Sequence, residues 1–189
     1  MASASLPFFT IGHSNRGIEE FIDLLRGPHV ERVIDVRKIP MSRANPQFNK
    51  NALPQALASG QIAYEHIEAL GGRRSTAHSV PGDTNGFWQN KSFHNYADYA
   101  LSAEFQAGLE RLIARGRRQR CAIMCSEAVW WRCHRRLISD YLIARGETVV
   151  HIMGTNRLEP ARLTQGALIR PDGNVVYPAS KASPGNLDE

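Results

Sequence analysis

Cys125, Glu127, Cys133, His134 and Arg135 fall within eleven positions of one another, in the stretch CAIMCSEAVWWRCHRRLISDYL that spans residues 121–142. A thiol can act as a nucleophile or half of a redox pair, a carboxylate can move protons, and an arginine beside a helix start can clamp an anion. The bland alternative treats Cys133 as a small buried hydrophobe and His134 as a satisfied first-turn histidine. Metal is the least favoured chemistry. If Cys121 and Cys125 share a strand, four residues separate them by roughly 13 Å, too far for one ion. Cys125, Cys133 and His134 lack an evident fourth ligand, and their spacing matches no familiar zinc pattern, so neither a metal nor a cofactor is expected.

The elements that must position these groups alternate along the chain. Apolar runs at Phe8 to Ile11, Val33 to Val36, Ile62 to His66, Cys121 to Cys125 and Val149 to Ile152 read as strands. Between them lie helical spacings. Ile18, Phe21, Ile22 and Leu25 mark one helix, capped by Ser14 or Asn15 and ended by Gly27. A short helix near Leu53 to Ala58 tolerates Pro54 in its first turn, and Leu101, Phe105, Leu109, Leu112 and Ile113 mark another, stopped by Gly116. The last runs from about Arg132 to Arg145, with Cys133 and His134 on its buried side and Arg135 and Arg136 pointing elsewhere. Residues 68–96 show neither period and read as a loop that covers a site. ALIRPDGNVVY, with its turn at Pro171, Asp172 and Gly173, reads as a C-terminal hairpin, and residues 181–189 are expected to fray.

This pattern predicts one α/β domain over residues 1–180, with a mostly parallel sheet of about five strands and helices on both faces. Ligands of such sheets bind at the carboxyl ends of the strands. That edge should receive His13, Ser14 and Asn15 from the first strand, Asp35 and Arg37 from the second, Glu65 or His66 from the third, and Cys125, Ser126 and Glu127 from the fourth. The basic run Arg115 to Arg120 belongs at the opposite edge, where cations complement a helix end.

Composition narrows the classes. The 189 residues carry a net charge of +5 and three cysteines. The charge leans toward anionic partners, and so few cysteines do not make a disulfide scaffold, so a reducing cytoplasm is the simpler setting. No run of about 18 apolar residues suggests a membrane span, and MASASLPFF lacks the features of a secretory signal. GxxxxGK[ST], GxGxxG and HExxH are all absent, which disfavours ATP hydrolysis, Rossmann-type dinucleotide use and zincin proteolysis.

The pieces TIGHSNR (residues 10–16), VIDVRKIPMSR (33–43), LGGRR (70–74), FWQNKSFHNYADY (87–99) and MCSEAVWWRCHRRLI (124–138) occur in an order that resembles the domain of unknown function 488 family. The resemblance puts that family's two cysteines at Cys125 and Cys133 and gives Cys121 no counterpart. Related sequences often carry a proline ahead of the CHR triplet, where this chain has Ala128, Val129, Trp130 and Trp131. No activity is established for the family.

Three function classes follow. In the leading one, Glu127 and Asp35 divide general acid from general base in a pocket also lined by His13, Arg37, Tyr64 and Trp88. Ser14, Asn15, Arg73, Arg132, His134 and Arg135 add polar contacts, and the substrate is a nucleotide or nucleic-acid-related anion, cut at a glycosidic or phosphate bond. The second makes Cys125 the nucleophile of thiol or sulfur-transfer chemistry, or pairs it with Cys133 in a redox couple. The third is a non-catalytic nucleotide or nucleic-acid sensor.

Overall fold

The computed structural model describes residues 5–179. Eight strands and five α-helices alternate in it: β1 (Phe8–Gly12), α1 (Ile18–Arg26), β2 (Arg32–Asp35), α2 (Leu53–Ser59), β3 (Ala63–His66), α3 (Lys91–Tyr99), α4 (Ala103–Gly116), β4 (Cys121–Cys125), α5 (Arg135–Ala144), β5 (Val149–Gly154), β6 (Arg157–Pro160), β7 (Leu168–Ile169) and β8 (Val175–Val176). Six strands form one sheet in the order β3-β2-β4-β1-β5-β6. All its pairings are parallel except β5 with β6. The fold is therefore the mixed α/β architecture that the strand and helix alternation predicts, with β7 and β8 as the C-terminal hairpin. No helix among the described residues is long and apolar enough to cross a membrane.

Side chains alternate across the sheet, and the two faces bury different helices. Phe9, Ile11, Val33, Ala122 and Met124 pack with Phe21, Leu25, Leu53 and Leu57 of α1 and α2. Phe8, Ile34, Ile123 and Cys125 pack with α3, α4 and α5 through Tyr96, Leu109, Leu137 and Tyr141. Strand β1 sends its connection to the first face and its neighbour β4 to the second. The carboxyl ends of β1 and β4 are therefore a switch point, where a crevice opens between diverging connections.

Several local expectations change. Helix α1 is capped by Gly17 with no side-chain bond, because Ser14 takes a left-handed conformation at φ 50° and donates its backbone N–H to Ser126 instead. The extra strand β6 is polar and exposed, so it carries no apolar pattern to read. Residues 68–96 are not one loop. A 3-10 turn spans Glu68–Leu70, and α3 begins at Lys91, with the Asn90 side chain accepting the N–H groups of Ser92 and Phe93. Its buried Tyr96, Ala97 and Ala100, with Phe93 packed beside them, fall at helical spacing. Residues 181–189 lie outside the described residues.

At the opposite end of the sheet, Arg115 joins Arg111 and Arg32 around the buried Glu65 carboxylate, and Arg117 pairs with Glu147 at 2.8 Å. Two members of the basic run, Arg115 and Arg117, are thus tied into ion pairs at the end of α4, ahead of β4.

Candidate functional site

A cavity of about 470 Å³ opens over the carboxyl ends of β1, β2 and β4. Its size is in the range of small-molecule sites, roughly 300–1,000 Å³. Nine of the residues singled out in the sequence line it: His13, Arg37, Arg73, Cys125, Ser126, Glu127, Arg132, Cys133 and His134. Lys38, Phe93 and Tyr96 complete features that the sequence did not assign: a further cation and two aromatic faces.

Asp35 is not in the cavity. It pairs in register with Met124, so its side chain leaves the sheet on the face opposite Cys125, and it is fully buried. One of its oxygens accepts from the Arg37 backbone N–H and Nε, the other from Arg37 Nη2 at 2.6 Å and the Tyr64 hydroxyl at 2.8 Å. With both oxygens engaged in this way on the far face of the sheet, Asp35 does not meet Glu127 in the cavity, and the expected pair of carboxylates is not brought together. Tyr64 belongs to the same buried support and stays outside the cavity.

Arg37 is what that support presents. Of its five N–H donors, Nε and both Nη2 hydrogens are taken by Asp35 and the Phe48 carbonyl. Nη1 donates to His13 Nε2 at 3.3 Å. That assignment follows because His13 Nδ1 lies 2.7 Å from the Ser14 carbonyl, which only accepts, so Nδ1 carries the ring proton. One Nη1 hydrogen remains without a partner among the described residues, on a side chain that lines the cavity. His13 stacks on Phe48 with centroids 4.3 Å apart and serves to place this guanidinium.

Burial, with the nearby Arg37 charge, lowers His13 to about 4, and burial with the Arg135 charge does the same to His151. Both rings are 2% exposed. Each stays neutral in the folded protein, while in the unfolded chain it takes a proton below its ordinary 6.5. Stability is therefore full above that value and falls as the pH drops toward 4. Urea melts should show a loss of about 2 kcal/mol from the two rings together between about pH 6.5 and 5.5. A flat profile over that interval would contradict the neutral, buried state of both.

Cys125, Cys133 and His134 form the floor. Cys125 is the last residue of β4 and faces α5. Cys133 is extended, at φ −130°, ψ 148°, rather than in a helical first turn. A 3-10 turn over Trp130–Arg132 precedes it, and α5 starts two residues later with His134 at its cap. His134 Nδ1 lies 3.9 Å from Cys125 Sγ and 3.7 Å from Cys133 Sγ, while Nε2 lies 2.8 Å from the Val36 carbonyl. Since the carbonyl only accepts, Nε2 carries the proton and Nδ1 offers its lone pair toward the thiols. Glycine is needed at two contacts here. A Cβ on Gly12 would lie 1.8 Å from the Glu127 carbonyl oxygen, where the loop after β4 crosses the end of β1. One on Gly72 would press on His134 Nδ1 at 2.9 Å.

Arg135 does not point away from the core, as helix phase suggests, but is 1% exposed. Its Nε donates to Cys133 Sγ at 3.3 Å and its Nη2 to the Glu127 carbonyl at 2.6 Å. It fixes the β4–α5 loop and one thiol, and does not reach the cavity. Burial alone would raise the Cys133 thiol, but the Cys125 S–H, the Arg135 charge and the Arg135 N–H groups bring it down to about 6. Donation to Cys133 and burial push Cys125 up to about 12. Of the two thiols, Cys133 is the one beside a buried cation, Arg135, and the one whose surroundings favour the charged form.

The remaining candidates lie elsewhere. Trp88 stacks on Phe93 at 4.8 Å in the core, and it is Phe93 that reaches the cavity wall. Ser14 and Asn15 hydrogen-bond each other outside it. Glu65 serves the arginine cluster described above, and His66 Nε2 bonds the Arg37 carbonyl. Trp130 stacks on His151, 4.5 Å between centroids.

Comparison with curated proteins and with solved structures gives no match. A family model does match, over residues 17–142, and it runs from the start of α1 to the buried face of α5, through Arg37, Gly72, Cys125, Glu127, Cys133 and His134. With two thirds of its length matched, the chain belongs to the family described as domain of unknown function DUF488.

Proposed function

We propose that this protein is a hydrolase that takes a nucleotide-sized anionic substrate into the cavity at the strand ends, with Glu127 as the general base that activates water. One observation carries this reading. Among the described residues lining the cavity, Glu127 is the one carboxylate, set against the cations Arg37, Lys38, Arg73 and Arg132. Such a ring draws in an anion and holds it beside a single group able to accept a proton. Phe93 and Tyr96 supply apolar surface for a base or another flat group.

The experiment is a thermal-shift screen of nucleotides, nucleosides, modified oligonucleotides and sulfur donors, followed by turnover assays on the compounds that stabilise the fold. Glu127→Gln should keep ligand-induced stabilisation and lose turnover by about 10²–10⁴-fold. Unchanged turnover would remove Glu127 from the chemistry. If no nucleic-acid-related compound raised the melting temperature at saturating concentration, the substrate class would fall.

A second reading, thiol chemistry at Cys133, has its own observation: Arg135 Nε–H donates to Cys133 Sγ in the same cavity wall. In that case iodoacetamide would abolish turnover in the reduced protein while Glu127→Gln left it intact.

A further inference from the structure

The sequence disfavours a metal at the CSE…CHR stretch, since the spacing fits no familiar pattern and a fourth protein ligand is missing. Neither objection survives the fold. Strand β4 and the turn before α5 bring Cys125 Sγ, Cys133 Sγ and a His134 ring nitrogen within 4.8 Å of one another. A tetrahedral zinc ion, with bonds of about 2.3 Å to sulfur and about 2.0 Å to nitrogen, holds its ligand atoms about 3.5–3.8 Å apart. The two S···N separations here are 3.9 and 3.7 Å. The two sulfurs, within 4.8 Å of each other, must stand about 3.8 Å apart around an ion, an adjustment that free thiols on two different segments can make by side-chain rotation.

The second observation is the orientation of the imidazole. His134 donates Nε2–H to the Val36 carbonyl, so the nitrogen facing the two sulfurs is the unprotonated one. Metal-bound histidines are held in this way, with the distal N–H given to a carbonyl or carboxylate. Arg135 also donates to Cys133 Sγ, an outer-shell contact that steadies a ligating thiolate. The third observation is the setting. All three ligand residues line the cavity, and catalytic zinc sites keep three protein ligands with an open fourth position, whereas structural sites close all four. The missing fourth ligand is thus a feature of the site's chemistry.

We propose that Cys125, Cys133 and His134 bind one zinc-class divalent ion, with its fourth coordination position open to the cavity for water or an oxygen of the anionic substrate. Two thiolates and one imidazole select a borderline-soft ion over magnesium or calcium. The proposal deepens the hydrolytic reading and rests on it for the identity of the fourth ligand; the ion site itself is tested without turnover.

The test uses the full-length reduced protein, stripped with a chelator and titrated with cobalt(II). The expected result is one equivalent bound, with visible bands of tetrahedral cobalt, a near-ultraviolet thiolate-to-cobalt charge-transfer band, displacement by zinc and a raised melting temperature. Cys125→Ser and His134→Gln should each lose the charge-transfer intensity or stoichiometric binding, whereas Cys121→Ala, at the far end of β4, should retain both. Saturation well below one equivalent, the absence of a charge-transfer band, or the same band in Cys125→Ser would overturn the site. Glu127→Gln separates the two ideas. A full cobalt spectrum in that variant supports the ion site whatever becomes of the hydrolytic reading, and a turning-over protein with no cobalt band sinks the ion site alone.

Discussion

Asp35→Ala is expected to destabilise the protein by about 3–5 kcal/mol in urea melts, among the largest losses available to a single polar substitution in this chain. The aspartate is fully buried, and its removal leaves Arg37, 5% exposed, without its bidentate partner. The Phe48 carbonyl and His13 Nε2 remain, but neither carries a negative charge. The loss comes from the uncompensated guanidinium, and it should be reversed in part by removing that charge. The double variant Asp35→Leu with Arg37→Met should recover a large share of the stability, since a buried ion pair replaced by apolar groups of similar volume is often close to neutral. A further variant separates support from catalysis. If Asp35 only anchors Arg37, Asp35→Asn should lower ligand affinity and stability together, with no additional defect in the rate of the bound complex. A stability loss under about 1 kcal/mol for Asp35→Ala would show that the pair is not the foundation of the Arg37 position.

The placement of Asp35 shows which part of the site the sequence carried. Chain direction and strand alternation put His13, Arg37, Cys125 and Glu127 at one edge of the sheet, and all four line the cavity. Position along a strand is only half of the address, however, because side chains also alternate between faces. Val33 and Asp35 share the α1 and α2 face with Tyr64, whereas Cys125 shares the other with Ile34. The period of two was present in the sequence, and applying it across paired strands needs the register, which depends on which strands are neighbours. The inward turn of Arg135 escapes the sequence for a related reason. Helical phase turned it outward, but α5 begins at Arg135 itself, so its side chain follows the loop and not the helix face. Helix α3 is the opposite case. Its spacing at Phe93, Tyr96, Ala97 and Ala100 was legible, and the surrounding glycines, prolines and charges obscured it.

The cavity floor poses a sharper question, because two of its groups depend on each other for charge. Arg135 is 1% exposed and pairs with no carboxylate among the described residues; Cys133 Sγ, 3.3 Å from its Nε, is the group that can supply the counter-charge. If Cys133 is a thiolate, Cys133→Ala removes the one anion that stands, among the described residues, beside this buried guanidinium. The expected cost in metal-stripped protein at about pH 8 is about 3–5 kcal/mol, against about 1 kcal/mol for Cys125→Ala, which deletes a small neutral thiol. The pH dependence gives the sign. A thiol lowered from its ordinary 9 to about 6 contributes stability that is present above the unfolded value and is lost as the pH falls through the folded one. The penalty of Cys133→Ala should therefore shrink when the melts are repeated at about pH 5.5, where the native thiol is itself protonated. Adding Arg135→Met to Cys133→Ala should restore stability at pH 8, because no buried charge then remains unpaired. Equal, small costs for Cys125→Ala and Cys133→Ala, independent of pH, would make Cys133 an ordinary buried thiol, and the counter-charge of Arg135 would have to be sought outside the cavity floor.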